Sequence, residues 1–245
     1  IFHERLFYDL FYKIPDGILE RLFSFLKFRL IRTATTDLWQ KMSYGEHGNY
    51  FLSVMAAFFN RLIARGSVRK GLRFFDYHFV GDAGFGAVLE KYRPDVVLLP
   101  HLFDDAEVSL LREAKKRRIA TVGFINSWDK LTARCSLRLL PDTLVVLYEI
   151  VKEEAVKYAD MPADKVVACG IPQYDQYITD IPTPRKEFFK KNDLDSEKHL
   201  ILYSPRGIKF SLSDWAMIDF LHEAIAKGSF ANAQLLVRFP PNDFL

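Results

Sequence analysis

Four short apolar segments between residues 94 and 175 decide the fold of this chain. They read PDVVLLPH (94–101), IATVGFINSWDK (119–130), LVVLYE (144–149) and VVACGIP (166–172). Each apolar run has the length of a strand and ends in polar residues, glycine or proline, which is typical of buried strands in a parallel sheet. Between the first two runs, residues 104–118 begin with acidic side chains and end with basic ones, as an α-helix favours. A further helix is predicted near residues 151–158, so the pattern predicts a parallel sheet with helical crossovers.

A shorter pattern of the same kind follows a proline-containing connector at residues 180–184. Strands are predicted over residues 200–203 and 235–237, and helices over 185–192 and 213–226. The chain also stops soon after the last of these strands. We therefore predict an α/β protein with two Rossmann-like domains, residues 1–180 and 181–245, of which the second is truncated.

The composition is that of a folded protein with a sizeable core. The chain has 245 residues, of which 49% are apolar and 15% aromatic, and its net charge is +3. A charge this small is not by itself a signature of nucleic-acid binding, and we expect no nucleic-acid partner. Cys135 and Cys169 lack metal-ligand spacing, and Cys169 is predicted to be buried. We expect neither a signal peptide nor a transmembrane segment, and hence a cytoplasmic location.

The first 70 residues lack strand alternation and predict helices. One amphipathic helix is predicted around residues 18–29, where Arg21, Lys27 and Arg29 lie among apolar side chains at helical spacing. Two interpretations stay open for this helix: it packs on the domain, or it faces a membrane surface. A second helix is predicted near residues 50–65.

The candidate catalytic residues follow the predicted strands, because ligands of open parallel sheets bind beyond the carboxyl ends of the strands. His101, Asp129 and Glu149 each occupy such an end and could act as the base for an acceptor hydroxyl. Each residue also has a purely structural interpretation. His101 would be a turn residue whose hydrogen bonds are satisfied, Asp129 would cap the helix or turn that follows it, and Glu149 would be the first residue of a helix.

Further residues are predicted to line the cleft or to form its hinge. Trp128 is predicted to be a core aromatic or part of the cleft wall, rather than a platform on which a base stacks. Glycine and proline after the fourth strand are expected to shape a tight turn at the domain junction. The predicted cleft and hinge residues are Ser127, Trp128, Gly170, Pro172 and Asp175.

The donor site is predicted at the strand ends of the second domain. Arg206 and Arg238 follow successive strands and could make charge-assisted contacts with a phosphate or diphosphate. Backbone amides from Ser204 to Gly207 could add neutral donors. No Asp-x-Asp pair occurs where a metal would be needed, and Asp104 with Asp105 is interpreted as a helix start. We therefore expect no metal site and no cofactor.

Several of these motifs together resemble a known family. The runs SWDKLT (127–132) and GIPQYD (170–175), with Pro141 and Asp142 before the strand that ends at Glu149, resemble bacterial surface-polysaccharide glycosyltransferases of the GT-B architecture. CDP-glycerol glycerophosphotransferases and UDP-GlcNAc 2-epimerases are similar relatives. The resemblance covers residues 94–241 and includes the loop SPRG (204–207). Two positions depart from the family: Lys130 replaces the more frequent Asn, and Pro240 replaces a usual His.

The resemblance implies a metal-independent transferase at the cytoplasmic face of the membrane. Such an enzyme moves a group from a nucleotide-sugar or CDP-glycerol donor to a polysaccharide or lipid-linked acceptor, and peripheral membrane contact is compatible with this activity. Two alternatives stay open. One is a UDP-sugar 2-epimerase that uses carboxylates as acid and base, and the other is a non-catalytic protein that binds nucleotide sugars or acts as a scaffold.

Overall fold

The structure is a computed structural model that describes residues 17–38, 50–81, 84–207, 211, 213–240 and 243. The chain divides into two compact units, residues 1–173 and 174–245. Helices alternate with parallel strands, so the predicted α/β class is confirmed. The predicted domains 1–180 and 181–245 stay a prediction.

The first unit begins with helices and continues as a strand–helix alternation. Its helices and strands are α1 (Ile18–Leu26), α2 (Tyr50–Ile63), α3 (Gly66–Phe79), α4 (Phe85–Tyr92), β1 (Val96–Leu99), α5 (Asp105–Lys116), β2 (Ala120–Phe124), β3 (Thr143–Val146), α6 (Glu149–Ala159) and β4 (Val166–Ala168). A single wide helical turn, Lys130–Arg134, lies between β2 and β3. The strands lie at the predicted apolar runs, because alternate side chains of these runs pack into the core.

The four strands form one parallel sheet in the order β1-β2-β3-β4. Leu99 pairs with Gly123, and Gly123 pairs with Leu144, so the strands end nearly level with one another. Gly123 is required in the middle of the sheet, because a Cβ there would lie 2.4 Å from Leu102 and 2.8 Å from Pro141. The carboxyl ends of all four strands therefore lie along one edge.

One face of this sheet carries the core. Leu99, Leu144 and Val146 are buried there with Leu111 of α5 and Ala155 of α6. Right-handed crossovers between strands in sequential order place both helices on the same face. On the opposite face, a row of apolar side chains is exposed, namely Val96, Leu98 and Val167.

Buried ion pairs hold the amino-terminal helices against α5. The guanidinium of Arg112 is completely buried and lies 2.6 Å from Asp76 of α3 and 3.4 Å from Glu20 of α1. Arg138 pairs with the same Asp76 at 2.8 Å and with Asp105 at 3.0 Å. Removing one partner of such a network leaves an uncompensated buried charge, so the network fixes α1 and α3 firmly.

Two sequence-based predictions can be compared with this unit. The helix at residues 18–26 packs on the domain through its polar side, and Lys27 is buried against Asp105 at 2.8 Å. The prediction that Cys169 is buried is wrong: Cys169 is exposed and Cys135 is buried. Cys169 lies one residue beyond β4 and thus outside the packed part of the sheet.

The second unit contains a parallel pair of strands joined by a helix. It comprises α7 (Gln176–Thr179), α8 (Arg185–Lys191), β5 (His199–Tyr203), α9 (Asp214–Ala226) and β6 (Ala233–Val237). Leu200 pairs with Gln234 and Tyr203 with Val237. Within the part of the chain that the structure describes, no helix is long and apolar enough to cross a bilayer.

Candidate functional site

The predicted residues of the first unit lie where the sequence placed them along the sheet edge. His101 comes two residues after β1, Asp129 follows β2, and Glu149 opens α6 after β3. Their positions on the edge follow from the parallel register. Their contacts differ, and only His101 lies in a dense cluster of acid and base groups.

The His101 ring lies between a carboxylate and an ammonium group. Its Nδ1 atom is 2.9 Å from Oδ2 of Asp104, and its Nε2 atom is 2.7 Å from Nζ of Lys130. When the ring proton is on Nδ1, the side on which the Asp104 carboxylate lies, the lone pair of Nε2 accepts a hydrogen bond from the Lys130 ammonium.

Lys130 is one of the two positions at which the sequence differs from the family that it resembles, and the structure places its ammonium group beside the His101 ring. It belongs to the wide helical turn after β2, and its Nζ atom also lies 5.5 Å from the centre of the Phe103 ring. The ring face attracts the ammonium group and helps to hold it in place. No local sequence pattern links these two residues, which are 29 positions apart.

Glu107 lies behind the His101 turn and was interpreted in the sequence only as part of a helix start. Its side chain is buried in the first turn of α5, where Oε2 accepts a hydrogen bond from the backbone N–H of His101 at 2.7 Å. Burial raises the pKa of Glu107 to about 7; the bond from His101 opposes this shift and the Asp104 charge adds to it. The carboxyl therefore exchanges its proton near neutral pH.

The acidic residues that were interpreted as a helix start have further roles. α5 begins at Asp105, so that part of the interpretation is confirmed. However, the Asp104 carboxylate lies at His101, while Asp105 pairs with Lys27 and Arg138. Burial raises the pKa of Asp105, but hydrogen bonds from Lys27 and Ser24 outweigh it and leave the pKa below its ordinary value.

The residues after β2 form a local turn. Ser127 Oγ donates a hydrogen bond to Oδ1 of Asp129, and the carbonyl oxygen of Asp129 accepts from the N–H of Ala133 at 2.8 Å. Asp129 thus starts the helical turn through its backbone, whereas its side chain is held by Ser127. The side chain of Trp128 is 66% exposed, which excludes the interpretation of Trp128 as a core aromatic.

Glu149 occupies the first position of α6, which confirms its alternative as a helix-opening residue. Its side chain is 75% exposed and lies 4.0 Å from Lys152, one helical turn further on. An exposed pair of this kind contributes little to stability. A catalytic role for Glu149 stays a prediction.

The predicted hinge residues follow β4. Gly170 has φ +86°, and its N–H donates to the carbonyl of Leu147 at 2.8 Å, beside the end of β3. Pro172 opens a short helical turn, Pro172–Tyr174, and Asp175 precedes α7. The division between the two compact units, after residue 173, falls within this stretch.

In the second unit, two exposed arginines follow adjacent parallel strands. Arg206 comes three residues after β5, and Arg238 follows β6 directly. The strand ends are joined by the N–H of Arg238, which donates to the carbonyl of Tyr203 at 2.9 Å, and by Ser204 Oγ, which donates to the carbonyl of Arg238 at 3.4 Å. The two predicted donor-site cations therefore share one edge.

Asp214, which the sequence analysis did not single out, holds the loop after β5. It accepts hydrogen bonds from the N–H of Gly207 and the hydroxyl of Tyr203, both at 3.0 Å. Burial raises its pKa, but the bonds from the amides of Gly207 and Arg206 and from side-chain hydroxyls outweigh it and lower the pKa overall. The amides of Gly207 and Arg206 are thus bound to Asp214 within the loop, while the side chains of Arg206 and Arg238 are exposed at this edge.

Comparison with protein-family models and with curated proteins finds no match for this chain. Among the described residues, no three His, Cys, Asp or Glu side chains form a group that could hold a metal ion. Each sheet edge is therefore characterised by its own geometry: an acid–base cluster at the edge of β1–β4 in the first unit, and two exposed arginines at the edge of β5–β6 in the second.

Proposed function

We propose that the chain is a transferase of GT-B architecture that moves a sugar or glycerophosphate group from a nucleotide-activated donor to a hydroxyl acceptor. The cluster of Asp104, His101 and Lys130 carries this proposal, because it combines an oriented imidazole with a cation at the end of parallel strands. The acceptor is a cell-envelope polysaccharide or a lipid-linked saccharide, as the resemblance at residues 94–241 implies. The two units would then be the two Rossmann-like domains of that architecture.

The chemistry assigns a role to each member of the cluster. An acceptor hydroxyl takes the place of Lys130 at Nε2 of His101 and gives its proton to that atom as its oxygen attacks the donor. A bond from this oxygen to carbon or phosphorus forms, and the bond to the nucleotide phosphate breaks. The released electron pair goes to the departing phosphate. Asp104 stabilises the resulting imidazolium, which is the function of the carboxylate in carboxylate–histidine pairs.

Cations then stabilise the leaving group. Arg206 and Arg238 lie at the ends of neighbouring strands, and their guanidinium groups match the geometry of phosphate oxygens. Positive charge supplied in this way performs the electrostatic role that a divalent ion has in other transferases. These residues are the donor site of the proposal.

The test is transfer of label from a panel of UDP-, CDP- and GDP-activated donors to a polysaccharide or lipid-linked acceptor. We expect product only when the acceptor is present, and a kcat that falls about 100- to 10,000-fold in His101→Ala. His199→Ala is the matched control, because His199 is exposed and lies at the amino end of β5, away from the carboxyl edge.

Two outcomes contradict the proposal. Conversion of a UDP-sugar without any acceptor indicates the epimerase. Absence of any thermal shift with all three nucleotide diphosphates indicates a protein that does not bind an activated donor.

A further inference from the structure

The amino-terminal helices show an inverted distribution of polar and apolar side chains. An amphipathic helix of a soluble domain normally buries its apolar face and exposes its charges. In α1, Glu20 is buried in ion pairs with Arg112 and Arg138, whereas Ile18 is 86% exposed and Phe25 is 58% exposed. Only Phe23 of this helix is a buried apolar residue.

Helix α3 repeats this inversion. Its Asp76 is buried against Arg112 and Arg138, and its Arg69 is buried against Asp160 at 2.6 Å. Phe75 is exposed, with its ring centre 5.8 Å from that of Phe74 and 5.6 Å from that of Phe79, and both neighbours are exposed as well. The ion pairs fix α3 so that these three rings face outward.

Helix α2 adds a longer apolar stripe. Its exposed side chains recur at spacings of three and four residues, which places them on one face of the helix. They are Phe51, Val54, Met55, Phe58, Phe59 and Leu62. The exposed apolar side chains of α1, α2 and α3 are together called the apolar helical surface below.

The charges exposed on the same segments are basic. Within described residues 17–38 and 50–79, the acidic residues Glu20 and Asp76 are buried, and Asp37 is partly buried beside Arg32 at 3.4 Å. The charged side chains classed as exposed in these ranges are Arg21, Arg32, Arg61, Arg65 and Lys70. Basic side chains beside exposed aromatic and aliphatic ones are the combination that binds the interface of an anionic bilayer.

We infer that the apolar helical surface docks on the interface of a membrane that contains anionic lipids. The apolar side chains enter the boundary between headgroups and acyl chains. Arg61 in the last turn of α2 and Arg65, just before α3, contact the anionic headgroups. We choose a lipid surface over a protein partner because exposed apolar side chains and exposed basic side chains occur on the same helices. The inference goes beyond the proposed transfer reaction, since binding to lipid requires neither donor nor acceptor.

The test is co-sedimentation of the full chain with sucrose-loaded vesicles of phosphatidylcholine alone or with 30% phosphatidylglycerol, a composition chosen to give an anionic surface. We expect binding to the anionic vesicles that is weaker by about tenfold or more in Phe58→Ser/Phe59→Ser. Arg61→Glu/Arg65→Glu should weaken binding by a similar factor and make it insensitive to salt. Because all four side chains are exposed, these changes leave the core intact, and circular dichroism verifies the helix content.

Matched controls are available in the second unit. Ile178→Ser/Phe220→Ser replaces apolar side chains of equal or greater exposure, and Lys186→Glu/Lys190→Glu reverses two exposed charges. Both controls should bind vesicles as the unmodified chain does. The inference is overturned if the unmodified chain does not bind anionic vesicles, or if the α2 variants bind as strongly as the controls. It is equally overturned if Phe58→Ser/Phe59→Ser converts a dimer to a monomer without affecting vesicle binding, because the surface then covers a second copy.

Discussion

The two sheet edges of this protein carry different chemistry. The edge of β1–β4 gathers an imidazole, an ammonium group and two carboxyls, of which Glu107 has a pKa of about 7. The edge of β5–β6 presents two exposed guanidinium groups, that of Arg206 on a loop held by Asp214 and that of Arg238 directly after β6. The first edge is thus suited to moving a proton, and the second to binding an anion. Parallel sheets offer the same scaffold to both, and the residues after the strands decide the difference.

The strongest test of this difference compares His101 with Arg206. If the first edge moves the proton, His101→Ala should lower kcat by about 100- to 10,000-fold and leave the Kd for nucleotide unchanged. Initial rates and isothermal titration measure the two quantities separately. A His101→Ala variant that loses nucleotide binding instead would place the donor on the first edge and remove the distinction.

The second test replaces the arginines at the edge of β5–β6. Arg206→Ala and Arg238→Ala should each raise the Kd for a nucleotide diphosphate by about 10- to 100-fold, because each removes a charge-assisted contact. Titration calorimetry with CDP and UDP measures the effect, and Lys186→Ala, which changes an exposed cation on α8, serves as the control. Unchanged affinity in both arginine variants would show that this edge does not bind the phosphates.

Replacing two glycines compares the rigidity of two segments: Gly170 lies close to the division between the two units, and Gly207 lies in the loop after β5 that carries Arg206. Gly207 has φ +102°, and a Cβ there would lie 3.0 Å from Oδ1 of Asp243 and 3.1 Å from Cγ of Pro240. Gly170 has φ +86° but no atom within 4 Å of such a Cβ. We expect Gly207→Ala to destabilise the fold by about 1–3 kcal/mol and Gly170→Ala by about 1 kcal/mol, as measured by urea denaturation. Equal losses would mean that the arginine loop relaxes freely.

The smallest effect is expected from the proton of Glu107. An acid whose pKa rises from 4.5 to about 7 on folding binds a proton in the folded state that the unfolded state releases between these pH values. The free energy of unfolding therefore decreases as pH rises through this window. Glu107→Gln should remove that decrease, which denaturation curves at pH 5, 6 and 7 would detect. A slope that persists in this variant would assign the proton to a group other than Glu107.

Much of the fold could be predicted from the sequence. The apolar runs at residues 96–99 and 166–168 coincide with β1 and β4, because the side chains of each strand that face the core must be apolar. The positions of His101, Glu149, Arg206 and Arg238 follow from the apolar runs that precede each of them. The contacts of these residues could not be predicted, since the partners come from other parts of the chain.

The apolar helical surface is a clearer example of a feature that could not be predicted from the sequence. Helical spacing predicts an amphipathic helix at residues 18–26, but an isolated amphipathic pattern does not say which face is buried. Here Arg138 reaches Glu20 across 118 positions of sequence, and this buried pair turns the polar side of α1 inward. A local pattern contains no information about such a partner.

The sequence by itself determined the α/β alternation and the ends of the strands, because burial and helix polarity act over a few residues. Tertiary structure decided that Lys130 lies 2.7 Å from His101, that Glu107 supports the same turn, and that phenylalanines face outward from α2 and α3. The physical reason is the separation along the sequence between the residues that interact. Strand register and buried ion pairs join residues tens of positions apart, and only the folded chain places those residues together.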